Sequence, residues 1–168
     1  MLVYLSSVVI VGLVFLLIVM VFSPLFLGVP FLPTHRKQAI KMMELAQIKP
    51  GMKVVDLGSG AGRLLFLAAK SGAQVVGYEL NPFLVLWTRL VILINGQQDK
   101  IKVLYKSIYD ADIKDADVIM MFLYTSHMKK MVKKLQEAKV GTIILSYTFA
   151  PPEWKLIKKE QGIYVYKK

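Results

Sequence analysis

The sequence predicts an α/β fold built on a mostly parallel sheet, and three observations carry that expectation. Short aliphatic and β-branched runs alternate with helical stretches between residues 52 and 149, the pattern of strand–helix–strand crossovers. The first two strands both end in an acid, Asp56 and Glu79, at the sheet edge where open α/β folds bind ligands. Between them lies Gly58-Ser59-Gly60-Ala61-Gly62, with glycine at every second position. Glycine reaches positive φ and lets a ligand approach the backbone. The helix that follows offers free N–H groups and a positive dipole end. The stretch reads as a nucleotide cradle.

The composition divides the chain. Its 168 residues suffice for one domain with a core, and it has no cysteine, so disulfides and thiolate metal sites are excluded. The formal net charge is +11, yet residues 1–35 hold no Asp, Glu, Lys or Arg. Residues 2–22 are apolar apart from Tyr4, Ser6, Ser7 and Gly12. As a helix they would span ~31 Å, the thickness of a bilayer's hydrocarbon core. A basic leader and a small-residue cleavage site are both missing. Residues 1–23 are therefore read as a retained transmembrane anchor. Arg36, Lys37 and Lys41 follow it and no charge precedes it, which places the remainder in the cytoplasm. Residues 24–34 form an apolar connector broken by Pro24, Pro30 and Pro33. Residues 35–168 form the globular domain.

Within that domain, residues 35–47 read as an amphipathic helix, Lys49-Pro50-Gly51 as a turn, and 52–57 as the first strand. Residues 63–70 are helical and 73–79 form the second strand. Asn81-Pro82 opens a helix to Ile94, with Asn as N-cap and Pro in the first turn. This helix is apolar nearly all round, broken mainly by Thr88 and Arg89. It is expected to be buried on several sides, the alternative being that it lies against the membrane or the anchor. Strands follow at 101–105 and 116–122, then a helix opened by Thr125 or Ser126. That helix has Met128, Met131, Val132 and Leu135 on one side and Lys129, Lys130, Lys133 and Lys134 on the other. A fifth strand covers 140–149, and two short strands, 154–159 and 163–167, close the chain.

The spacing of the glycines selects among nucleotide binders. A dinucleotide fingerprint needs glycine at position 63, which is Arg63. Asp56-x-Gly58-x-Gly60-x-Gly62 instead resembles the first motif of class I S-adenosyl-L-methionine (SAM) methyltransferases. The likeness narrows further. Pro33-Thr34, Val54 to Arg63, Gly77-Tyr78-Glu79-Leu80-Asn81-Pro82 and Phe149-x-x-Pro152-x-Trp154 resemble the family of the ATP synthase c-subunit and adenine nucleotide translocase lysine methyltransferases and their prokaryotic relatives. The resemblance covers about residues 28 to 168. It implies a Rossmann-like class I methyltransferase fold, with a seven-stranded-type sheet and a C-terminal antiparallel hairpin. It also implies SAM as cofactor and a lysine amine as acceptor.

The expected cofactor-binding residues are Thr34, Asp56, Gly58, Ser59, Gly60, Gly62, Glu79, Asn81 and Ser107. Glu79 sits where a ribose diol lies, and Asp56 faces the cofactor's ammonium group. Pro33 and Thr34 would fold over the cofactor as a lid. Ser107 would bond the adenine amino group, at a position where the family commonly has an acid. Ala61 also replaces an acid of the family, leaving the pocket less negative. Tyr124, Phe149 and Trp154 are the candidates for an aromatic acceptor lining that desolvates the lysine, with ordinary core as the alternative for Phe149 and Trp154. No metal set is visible, and His35 and His127 are isolated in sequence. The expected partners are a membrane-associated protein substrate, the bilayer through residues 2–22, and anionic lipid headgroups against the lysine-rich face; nucleic acid is the disfavoured option. Two other functions fit the same residues: methylation of a lipid headgroup or quinone, and SAM binding without turnover.

Overall fold

The computed structural model describes residues 4, 6–8, 10–12, 14, 34–123, 125–148, 150 and 154–168. The chain divides into two units, Met1–Leu32 and Pro33–Lys168. In the first, residues 4, 6–8, 10–12 and 14 are helical. Among the described residues no helix is long and apolar enough to cross a membrane. Most of the span expected at 2–22, and all of the connector except Thr34, lies outside the described residues.

The second unit is a seven-stranded sheet of order β3-β2-β1-β4-β5-β7-β6. The strands are β1 (Lys53–Leu57), β2 (Gln74–Glu79), β3 (Ile101–Tyr105), β4 (Val118–Met121), β5 (Ile143–Tyr147), β6 (Leu156–Glu160) and β7 (Ile163–Lys167). The first five pair in parallel, and β7 runs antiparallel between β5 and β6. The helices are α1 (Arg36–Ala46), α2 (Arg63–Lys70), α3 (Pro82–Ile94) and α4 (Thr125–Leu135), with a 3-10 turn at Ile108–Asp110. This order, with its closing antiparallel hairpin, is the sheet that the resemblance implied.

Strand period decides the layers. Val54, Val118, Met120 and Leu145 face one side, where Ala39 and Met42 of α1, Leu65 and Ala68 of α2, and Val85 and Ile92 of α3 pack on them. Val55, Leu57, Ile119, Met121 and Ile144 face the other, under Met128, Met131 and Leu135 of α4. Neighbouring residues of one strand thus serve different cores. The chain order reverses between β1 and β4, so their carboxyl ends form the crevice typical of a topological switch point.

The expectation that α3 is buried on several sides is corrected. Only Val85, Thr88 and Ile92 are buried, while Leu86, Trp87, Leu90, Leu93 and Ile94 stand exposed. The cause is position: α3 packs mainly on β3, the edge strand of the sheet. A helix over an edge strand has a helical neighbour on one side only.

The glycine at 77 fixes how closely β2 meets the turn after β1. A Cβ there would lie 2.7 Å from Ser59 Oγ and 2.8 Å from Leu65 Cδ1. Gly77→Ala is expected to lower stability by about 1–3 kcal/mol through overpacking. A lower urea midpoint at unchanged m-value would show it, and an unaltered midpoint would contradict this packing.

Candidate active site

The site is built at the carboxyl edge of β1 and β2. After Leu57 the chain turns back under β2, where Gly58 and Ser59 both donate their N–H to the carbonyl of Tyr78, at 2.9 and 3.0 Å. Gly58 and Gly62 take φ of +86° and +83°, a region that L side chains rarely adopt. Gly62 then occupies the N-cap position of α2 without a side chain to cap it, so the first N–H groups of the helix remain available to a ligand. A Cβ on Gly62 would meet Thr88 Cγ2 at 2.7 Å.

Glu79 closes the arrangement. Its Oε2 accepts from the Gly60 N–H and its Oε1 from the Asn81 N–H, both at 2.8 Å. One carboxylate thus joins the glycine turn to the start of α3. Each oxygen keeps a further lone pair, which suits it to accept from the two hydroxyls of a ribose. Asn81 caps α3, its Oδ1 accepting from Phe83 and Leu84 N–H at 3.0 and 3.3 Å.

Asp56 is the second acid of the site and is buried. Burial, followed by the charge of Glu79, pushes its carboxyl from 3.8 up to about 8. Two acids in one cleft favour a cationic ligand, whose arrival would favour the charged form of Asp56. Ser59 Oγ is also buried and has no hydrogen-bond partner among the described residues. The glycine cradle, the ribose-competent carboxylate and the acidic pocket fit the sulfonium nucleoside expected from the sequence.

Several tertiary contacts were not foreseen in the sequence. Thr88, fully buried in α3, donates its hydroxyl to the Gly60 carbonyl at 3.2 Å; the polar break in an apolar helix was its only signal. Arg63 donates through Nη1 to the carbonyl of Thr34, which holds Thr34, itself buried, against the first turn of α2. Tyr109 and His127 share a hydrogen bond of 2.7 Å between Tyr109 Oη and His127 Nδ1. They stand 18 positions apart, on the 3-10 turn and on α4, and no local pattern links them.

Ser107 stays beside the carboxyl edge, two residues past β3 and next to Lys106, whose N–H donates to the Glu79 carbonyl at 3.2 Å. Ser107 caps the 3-10 turn, its Oγ accepting from the Tyr109 N–H at 3.3 Å. Tyr124 and Phe149 lie outside the described residues. Trp154 is not brought to the cofactor edge. It precedes β6, whose Leu156 pairs with Tyr166, and Tyr166 in turn pairs with Ile144 near the start of β5. That is the amino edge of the parallel strands. Its ring stands edge-on to Tyr166, with centroids 6.4 Å apart, and Lys168 Nζ lies 5.7 Å above it.

Two predictions follow from the two acids. Glu79→Ala removes two charge-assisted backbone bonds and the ribose acceptor. It is expected to weaken S-adenosylhomocysteine binding by roughly a hundredfold or more, since such bonds contribute ~1.5–3 kcal/mol each; calorimetric titration reads this, and an unchanged Kd would remove Glu79 from the site. Asp56 binds its proton more tightly in the folded chain than in the unfolded one. Stability should therefore fall as pH rises between about 4 and 8, at up to ~1.4 kcal/mol per pH unit, and level off above. Asp56→Asn should abolish that slope in urea titrations across this range.

Comparison with known proteins places this geometry. The model of the ANTKMT methyltransferase domain matches residues 56–158. A protein-lysine N-methyltransferase of Saccharolobus islandicus (strain REY15A) is 32% identical over 149 residues, covering 82% of this chain and 92% of that protein. The adenine nucleotide translocase lysine N-methyltransferase of Mus musculus is 34% identical over 134 residues, 79% of this chain. This chain spans only 58% of the mouse protein's length. Among solved structures, an RNA methyltransferase from Salinibacter ruber in complex with S-adenosyl-L-homocysteine superposes with a TM-score of 0.75 at 31% identity, covering 81% of this chain and 92% of that one.

Proposed function

We propose an acceptor from one premise: the chain belongs to the family of SAM-dependent protein-lysine methyltransferases that carries the ANTKMT methyltransferase domain. Its cofactor is SAM, and its acceptor in this proposal is a lysine amine on a protein near a membrane. The lysine is argued from likeness to a lysine methyltransferase of nearly the same length. The membrane is argued from the 35 uncharged residues that open the chain, read as a single-pass anchor with the domain on the cytoplasmic side.

SAM supplies an electrophilic methyl group, and the chain supplies position and field. Glu79 and the glycine turn hold the nucleoside end, and Asp56 with Glu79 favours the positive charge of the bound cofactor. A lysine must lose its proton before its lone pair can form the new C–N bond as the C–S bond breaks. Aromatic walls at the cofactor edge would lower its pKa by desolvation. Tyr124 and Phe149, which follow β4 and β5 in sequence, are assigned that role. Trp154 stays outside it because of its place at the amino edge. Thr34, tied to α2 through Arg63, is assigned as the flap over the cofactor.

Transfer to RNA is the second reading. It is supported by the likeness to the Salinibacter ruber enzyme and by the exposed Lys129, Lys130 and Lys133 of α4. Membranes holding the full chain, incubated with methyl-labelled SAM, separate the readings, with Glu79→Ala as control. Label recovered as methyl-lysine in protein and lost in the control is expected. Label in nuclease-sensitive material would favour RNA, and label in the organic phase a lipid or quinone. Equal labelling by the control would sink the assignment of Glu79.

A further inference from the structure

Helix α3 has two apolar faces, and the fold uses one. Val85, Thr88 and Ile92 pack on the sheet. Leu86, Trp87, Leu90, Leu93 and Ile94 are between 48% and 73% exposed. At 3.6 residues per turn these five fall within an arc of ~120°, opposite the buried three. Contiguous apolar surface of this kind marks an interaction site.

The composition and surroundings of the arc identify its occupant. Leucines and isoleucine fill its centre, and Trp87 stands at one margin, the side-chain distribution of a helix lying in a membrane interface. The charges around it are basic. Arg89 is exposed on α3, ~40° from the margin of the arc at Leu93, with its guanidinium donating to the Val103 carbonyl at 3.0 and 3.1 Å. Lys100 is exposed at the end of the loop that leaves the helix, whose one acid is Asp99, while Lys102, between the inward Ile101 and Val103 of β3, faces the other side of the sheet. Anionic headgroups complement such a rim. A second copy of the chain does not, because two-fold pairing of the same face would set these cations against one another.

We infer that the exposed face of α3 is a lipid-contacting surface that lays the domain on an anionic bilayer. Asn81 caps this helix beside Glu79, so the cofactor edge then opens next to the headgroups, where a membrane-associated acceptor would be presented. The contact is distinct from the chemistry at Glu79.

Trp87 reports on it directly. The full chain is reconstituted with phosphatidylcholine–phosphatidylglycerol vesicles, with and without bromine on the acyl chains. Subtracting the signal of Trp87→Phe removes the contribution of Trp154. The Trp87 component should shift to the blue and lose roughly twofold or more of its intensity to the brominated lipid, as expected for an interfacial indole. Leu90→Asn with Leu93→Asn should restore both while S-adenosylhomocysteine binding persists. A chain that floats with the vesicles yet leaves Trp87 open to aqueous iodide overturns the α3 contact and spares the anchor. A chain that does not float overturns both. Protection of Trp87 that follows protein concentration in detergent, without lipid, would assign the face to a second copy and overturn the inference. Methyl-lysine formation is read separately, so failure of this contact and failure of the lysine acceptor are told apart.

Discussion

The structure depends on one carboxylate. Glu79 ends β2 and spends both oxygens on backbone, one on Gly60 in the turn after β1 and one on Asn81 at the head of α3. Three elements that meet at the carboxyl edge are thereby held in register by a single side chain. Thr88 repeats the link from behind by bonding the Gly60 carbonyl, so both the amide and the carbonyl of that glycine are held. The cradle is preorganised before any cofactor arrives, which spares binding the ordering entropy of a loose loop.

The same cleft gathers two carboxyl groups in a strongly basic protein. Asp56 is buried beside Glu79, and its raised carboxyl reflects the cost of that position. Folded proteins keep such a cost where a ligand relieves it, and a sulfonium nucleoside carries the sign of charge that does so. Arg63 apart, the basic residues lie outside this cleft, those of α4 and of the α3–β3 segment among them. Charge is thus sorted by location: acid inside the site, base on faces turned to the surroundings. The sorting serves cofactor and partner together, because the electrostatic needs of the two are opposite.

Much of the fold was legible in the sequence because its signals are local. Strand positions followed from aliphatic runs, the glycine turn from residues that take positive φ without a Cβ penalty, and the start of α3 from Asn81-Pro82; the observed Arg63–Lys70 and Ile101–Tyr105 match the expected limits. Where strands end was less legible. The fifth strand is five residues, Ile143–Tyr147, inside the ten expected, since pairing with β4 and β7 sets its length. The 3-10 turn after β3 was missed, its cap being a lone Ser107. The burial of α3 was misjudged because hydropathy along a helix cannot tell a face covered by protein from one left open at a sheet edge.

The sequence by itself determined the class of fold, the nucleotide cradle and the acid at its lip, because each rests on a few adjacent residues under strict backbone constraint. Only the tertiary structure decided which distant groups meet. It joined Glu79 to Gly60, Thr88 to the Gly60 carbonyl, Arg63 to Thr34 and Tyr109 to His127, and it set Trp154 at the opposite edge from the cofactor. Those pairings depend on strand order and on the path of each crossover. Both are fixed by packing across the whole sheet, a sum over many weak contacts that no short stretch of chain encodes.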